Sequence, residues 1–201
     1  MNQVDHFEKK SKSWDMSSTR VTNAKAIADG IIEGVSLEDS MTLMDFGAGT
    51  GLLSYFIAPK VEKIIAIDNS PSMLEKFNEK QSEFACNTET IQADLSVENL
   101  DIKVDGVISS MTIHHLLDTQ ALFDRLYSML HDGGFIAIAD LDTEDGTFHS
   151  DNAGVFHYGF DREELKTIAQ ASGFKDISFQ TVSHIKKPHK EFTVFLMIAS
   201  I

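Results

Sequence analysis

The residues most able to do chemistry begin at "LMDFGAGTG", 43–51. Here Gly47, Gly49 and Gly51 alternate directly after an apolar run that carries Asp45. Glycine permits positive φ and leaves no Cβ in the way of a ligand. In a turn from strand to helix, the backbone amides face the crevice at the strand ends. The dinucleotide fingerprint G-x-G-x-x-G is not met, because Leu52 stands where its third glycine belongs. The ligand of this loop therefore need not carry a pyrophosphate. Asp68 follows Gly47 by 21 residues, an offset at which a carboxylate can accept both ribose hydroxyls of a nucleoside. Asp94, in "QADLS", can reach an exocyclic adenine amine, with Leu95 flanking the ring. Together these residues describe an adenosine pocket. Two plainer readings stay open: Asp45 as a carboxylate that only stabilises its loop, and Asp94 as a cap before "SVENL".

These groups need elements to hold them. Short apolar runs recur at 41–46, 63–68, 89–94, 104–110 and 134–140, and most end in Asp or Ser. Such runs suit strands covered on both faces. Helical signals separate several of them. Ser70 caps and Pro71 opens one helix. Asp118 opens a second, in which Leu122, Leu126, Met129 and Leu130 share a face until Gly133 and Gly134 stop it. Asp161 and Glu164 begin a third, closed by Gly173. Residues 176–182 and 192–200 read as two last strands joined by the turn-like "SHIKKPHK". The run "FTVFLMIAS" is apolar on both faces, so it belongs inside the sheet, antiparallel to its predecessor. The expected architecture is α/β: five β/α units and a terminal hairpin in a single domain over 1–201. Residues 1–35 form its N-terminal helical segment, and a long insert spans 141–160.

Composition limits the function classes. The 201 residues fit one domain, and 31 acidic against 17 basic side chains give a formal charge of -14. Beyond "KKPHK" at 186–190 there is no basic cluster, so nucleic acid is not the expected partner. Cys86 is the single cysteine and excludes an intrachain disulfide. The start of the chain lacks the apolar core of a signal peptide, and no apolar run reaches bilayer length, so a cytoplasmic location is expected. The sequence sets no oligomeric state.

The motifs "LMDFGAGTGLLS", "IAIDNSPSML", "IQADLS", "DGVISSMTIHHL" and "LHDGGFIAIADL" occur in order at fitting intervals. In this the sequence resembles class I S-adenosylmethionine-dependent methyltransferases, in the small-molecule branch similar to ubiquinone/menaquinone-biosynthesis (type 11/12) enzymes. The resemblance implies a Rossmann-like three-layer α/β/α sandwich with a seven-stranded, mostly parallel sheet and an antiparallel C-terminal strand. It implies S-adenosylmethionine as cofactor and an O-, S- or C-nucleophile of a small molecule as acceptor. Asp45 would organise the loop near the cofactor's amino group, and Gly47, Ala48 and Gly49 would pass beneath the methionine moiety. Asp68 would bind the ribose, with Asn69 beside it, while Asp94 and Leu95 would meet the adenine. Trp14 and Arg20 are candidate contacts of an N-terminal lid, in which Phe7 would share a face with Trp14.

For the acceptor side, His115 or His114 would face the transferred methyl, and histidine titrates near neutral pH as a base should. Packing is an equal alternative for either one. The insert carries His149 and His157, with Asp142 and Glu144, and is expected to cover the acceptor. No tight ligand spacing supports a metal there, and none is assigned. A second functional class also stands: a non-catalytic S-adenosylmethionine-binding sensor or partner subunit.

Overall fold

A computed structural model describes residue 5 and residues 8–201, with only the backbone of residues 9 and 10. Phe7 lies outside the described residues. Seven strands form one sheet: β1 (Thr42–Phe46), β2 (Lys63–Asp68), β3 (Asn87–Gln92), β4 (Val104–Ser110), β5 (Leu130–Leu141), β6 (Lys175–Lys187) and β7 (Lys190–Ser200). Their order is β3-β2-β1-β4-β5-β7-β6. The first five strands run parallel, and β7 pairs antiparallel with both β5 and β6. The chain order reverses between β1 and β4, and open α/β sheets bind ligands outside the carboxyl ends at such a point.

The helices are α1 (Glu8–Ser11), α2 (Ser18–Gly34), α3 (Leu52–Ile57), α4 (Pro71–Glu79), α5 (Thr119–Ser128) and α6 (Arg162–Ala171). Strand alternation feeds two cores. Leu43, Ile64, Ala66 and Leu196 pack with Ile27 and Ile31 of α2, Ile57 of α3 and Phe77 of α4. Met44, Ile65, Ile67 and Phe195 pack with Leu122 and Leu126 of α5 and Leu165 of α6. The result is the expected three-layer sandwich, with β7 covered on both faces.

Three details depart from the sequence expectations. The fifth helix stops at Ser128 rather than at Gly133, because Leu130 already pairs with Val104 as the first residue of β5. Gly133, at φ 79°, sits in the irregular stretch where that pairing shifts register. Between β3 and β4 no helix forms: Val97 and Glu98 donate to the Asp94 carbonyl, and the chain then turns to β4. The β6–β7 connection is shorter than expected. The strands run on through "SHIKK" until Lys187 faces Lys190, leaving Pro188 and His189 as the turn. Ser70, Asp118 and Asp161 cap α4, α5 and α6 as read from the sequence. Among the described residues no helix is long and apolar enough to cross a membrane.

Candidate functional site

The glycine loop leaves β1 at Phe46 and turns at once, with φ of 69°, 56° and 84° at Gly47, Gly49 and Gly51. The Gly47 and Ala48 amides both donate to the Ile67 carbonyl, at 2.8 and 3.1 Å, which zips the loop to the end of β2. The three glycines meet different surroundings. A Cβ on Gly47 would lie 2.2 Å from the Thr112 side chain, and one on Gly51 2.6 Å from the Phe77 ring. At Gly49 the nearest heavy atom would be the Met73 sulfur at 4.0 Å. Two of the glycines thus serve the protein's own packing, and the middle one opens onto space. Below the loop Asp45 is 1% exposed and accepts from Ser54 Oγ at 2.5 Å. Burial pushes its carboxyl up to about 7, against the Ser54 hydrogen bond and with help from the Asp68 charge.

Asp68, the last residue of β2, is held on both oxygens. Gly49 N donates to Oδ2 and Ser70 N to Oδ1, each at 2.8 Å. Burial raises its pKa in spite of these amides. Each carboxylate oxygen keeps a second lone pair for another donor. Asn69 is exposed beside it. The Ala93 amide bonds the Asp68 carbonyl at 3.2 Å, which brings Asp94 to the same edge, two residues past the end of β3. Asp94 Oδ1 accepts from Ser96 N at 2.9 Å, so it does organise a turn. Leu95 is 1% exposed and belongs to the core.

The N-terminal segment lies over this edge. Asp5 accepts from Ser70 Oγ at 2.8 Å and from Ser72 N at 3.2 Å. Asp15 accepts from Thr50 Oγ1 of the glycine loop at 2.5 Å and pairs with Lys80. Trp14 begins a single 3-10 turn, and the Arg20 guanidinium stacks on its ring at 3.9 Å. Sequence reading singled out Trp14 and Arg20 but missed Asp5 and Asp15, which make the tethers.

The second cluster stands on the loop after β4. Thr112 Oγ1 donates to Gly47 O at 3.4 Å, so this loop packs on the glycine loop. His114 follows, 1% exposed, with its Nδ1 2.8 Å from Asp140 Oδ1 at the carboxyl end of β5. Asp140 is fully buried and also accepts from His114 N at 3.2 Å and Leu141 N at 2.8 Å. The His115 and His149 ring centroids lie 4.1 and 5.0 Å from that of His114. The insert is pinned here: Phe156 N and His157 N donate to His114 O, and His115 Nδ1 lies 2.7 Å from Gly154 O. His157 turns away from the cluster, its Nε2 2.8 Å from Leu116 O. Asp142 is likewise engaged elsewhere, by Arg162 at 2.6 and 2.8 Å and Thr193 at 2.6 Å. Among the described residues no three His, Cys, Asp or Glu side chains are arranged to hold a metal ion. Sequence reading missed Asp140. Its only signal was a position like those of Asp45 and Asp68, at the polar end of an apolar run.

Residues 43–134 match the family described as Methyltransferase domain. That match and the relatives below support a class I S-adenosylmethionine-dependent methyltransferase. An uncharacterised methyltransferase of Schizosaccharomyces pombe is 33% identical over 138 residues, covering 61% of this chain and 49% of its own length. Phosphoethanolamine N-methyltransferase 1 of Arabidopsis thaliana is 26% identical over 152 residues, 73% of this chain and 31% of its own. The chain thus spans half or less of the length of these curated relatives. A crystal structure of a SAM-dependent methyltransferase from Aquifex aeolicus superposes with a TM-score of 0.70 at 19% identity, over 99% of this chain and 100% of that one. That likeness bears on the fold, and it agrees with the seven-stranded sandwich. The β1–β4 switch point, the glycine loop and the histidine loop all fall inside the matched residues. The insert and the β6–β7 hairpin lie beyond the matched residues.

Proposed function

We propose that the protein transfers a methyl group from S-adenosylmethionine to a small-molecule acceptor. The observation that carries this reading is Asp68, clamped by the Gly49 and Ser70 amides beside the open face of Gly49. A side chain at position 49 would project into that open face, and the Asp68 carboxylate keeps lone pairs for two ribose hydroxyls. The residues therefore fit the cofactor. Asp68 would hold the ribose with Asn69 at its rim, and Asp94 would meet the adenine over a floor containing Leu95. Gly47, Ala48 and Gly49 would lie under the methionine moiety, with Asp45 fixing the loop from below. Trp14 and Arg20, tethered through Asp15, would close the outer side. When bound, the cofactor supplies a sulfonium methyl whose leaving group is neutral. The protein's task is then to align donor and acceptor, which can lower a barrier by about 7–11 kcal/mol.

A small acceptor is supported by the insert, whose arm at 154–157 is fastened across the histidine loop and covers that end of the crevice. The relative named for phosphoethanolamine points to the same size class. A chain that only binds the cofactor is the rival reading, and the buried Asp140–His114 pair beside the crevice favours chemistry over it.

Calorimetric titration with S-adenosylhomocysteine tests the site. Asp68→Ala is expected to weaken binding about tenfold or more through loss of two hydrogen bonds to a charged group. Unchanged affinity would refute the assignment. Transfer of labelled methyl to phenol, thiol and amine acceptors separates enzyme from sensor.

A further inference from the structure

We propose that Lys187, on the β6–β7 hairpin, anchors an anionic group of the methyl acceptor, so that the acceptor carries a carboxylate or a phosphate. This rests on the methyl-transfer reading and narrows it to one acceptor chemistry.

The basic run "KKPHK" at 186–190 stands in a chain of formal charge -14. The hairpin brings it onto the insert: Lys190 Nζ lies 3.0 Å from Asp145, and Lys187 Nζ donates to the Phe148 carbonyl. The three lysines differ in what neutralises them. Lys186 faces Glu191 at 3.7 Å and Lys190 has Asp145. Lys187 has no carboxylate within ion-pair distance among the described residues. Strand alternation puts it on the face of Ile185, which is buried in the core with Phe192. Lys187 also pairs directly across the hairpin with Lys190. Like charges directly opposite one another are destabilising. Asp145 relieves Lys190, and nothing comparable relieves Lys187.

The two ammonium groups rim an aromatic floor. Lys187 Nζ stands 4.2 Å from the Phe148 ring centroid and Lys190 Nζ 5.3 Å from that of Phe192, and these two rings lie 5.2 Å apart. Phe148 leads inward to His149 at 4.9 Å, and His149 to His114 of the loop after β4 at 5.0 Å. Lys187 is partly exposed, so a ligand can reach it at the rim without entering the core. Burial nonetheless lowers its pKa, and its charge helps to hold His149 neutral. Glu144 acts in the opposite sense on Lys187, but its Oε2 is occupied by the Thr147 and Phe148 amides at 2.9 and 3.2 Å. An anion over Lys187 would supply the missing counter-charge. It would also sit away from Asp45, Asp68 and Asp94, whose edge repels it. Lysine serves as such a point charge for phosphate and carboxylate.

The test is ligand-observed NMR on the full chain loaded with S-adenosylhomocysteine, with two matched probe pairs: benzoate against benzamide, and phenyl phosphate against phenol. In at least one pair the anion should bind the wild type about tenfold tighter than its neutral partner, with ring contacts to Phe148, and that pair names the anion. Lys187→Gln keeps a donor for the Phe148 carbonyl and removes the charge. It should abolish the preference while S-adenosylhomocysteine affinity is unchanged. Lys187→Arg should retain the preference, and Lys186→Gln, on the other face of β6, should match the wild type. Equal affinities within both pairs, or a preference that survives Lys187→Gln, overturns the proposal. If Lys187→Gln does not fold, the wild-type ¹³Cε resonance of Lys187 decides. It should shift with the anionic probe and stay still with the neutral one, and an unmoved resonance overturns the proposal. Failure of S-adenosylhomocysteine to bind would instead sink the methyl-transfer reading, and the charge preference would still be read on the unloaded chain.

Discussion

Gly47, Gly49 and Gly51 share one backbone requirement and differ in what surrounds them. A left-handed conformation costs a residue with a Cβ about 1–2 kcal/mol. Gly49→Ala should cost that much, since its Cβ enters open space. Gly47→Ala adds a collision with Thr112 and should cost more, in part recovered by Thr112→Ala. Urea unfolding will rank them, and S-adenosylhomocysteine titration should show the larger affinity loss in Gly49→Ala. Equal effects on both measurements would mean the loop has no distinct ligand side. The spacing of these glycines was legible in the sequence, but their division of labour was not. The deciding neighbours lie far along the chain, at Thr112 and Phe77. Asp45 makes a second prediction. Its folded pKa of about 7 exceeds the unfolded 3.8, so the folded state holds this proton more tightly. The stabilisation is complete below about pH 3.8, is lost as pH rises through 7, and is flat beyond, a span on the order of 4 kcal/mol. Asp45→Asn removes that slope, so its stability relative to wild type should rise between pH 4 and pH 8. Parallel curves would show that the carboxyl titrates normally.

At the scale of elements, legibility followed the kind of contact that decides each one. The β7 run is apolar at nearly every position because Phe195 and Met197 face one core while Val194 and Leu196 face the other. A strand covered on both faces leaves that mark in its own residues. The helix caps were legible for the same reason: Ser70, Asp118 and Asp161 act on amides two or three residues away. The end of α5 was not. Met129 and Leu130 continue the helical period, and only the pairing of Leu130 with Val104, supplied by another strand, ends it. The histidine cluster was half legible. His114 and His115 sit on the expected loop, but His149 joins them because the insert folds back and donates Phe156 N and His157 N to the His114 carbonyl. Loop length signals a functional segment without giving its path. Asp140 reads in sequence as one more strand end, and its role needs the position of β5 beside β4.

For the whole molecule, the acidic excess acts together with the layout of the sheet. Asp45, Asp68, Asp94 and Asp140 all stand at or near carboxyl ends of parallel strands, in a chain of formal charge -14. The N-terminal tethers add Asp5 to the same edge, while the charge of Asp15 is offset by Lys80. A crevice lined by one sign of charge concentrates the opposite charge and accelerates its arrival. S-adenosylmethionine carries a sulfonium and an ammonium against one carboxylate, so it enters as a net cation. The demethylated product has lost the sulfonium and is neutral. The field should therefore draw the cofactor in and leave the product unassisted, which favours exchange after each turnover. Trp14 is the only tryptophan and lies on the segment tethered to the glycine loop, so its fluorescence reports binding without a label. Stopped-flow association of S-adenosylmethionine should slow roughly threefold or more from about 0.01 M to about 0.15 M salt, where the Debye length falls from about 30 to about 8 Å. The rate for S-adenosylhomocysteine should stay nearly constant over that range. Equal salt slopes for the two ligands would show that the acidic edge does not steer the cofactor, and the excess charge would then act on solubility alone.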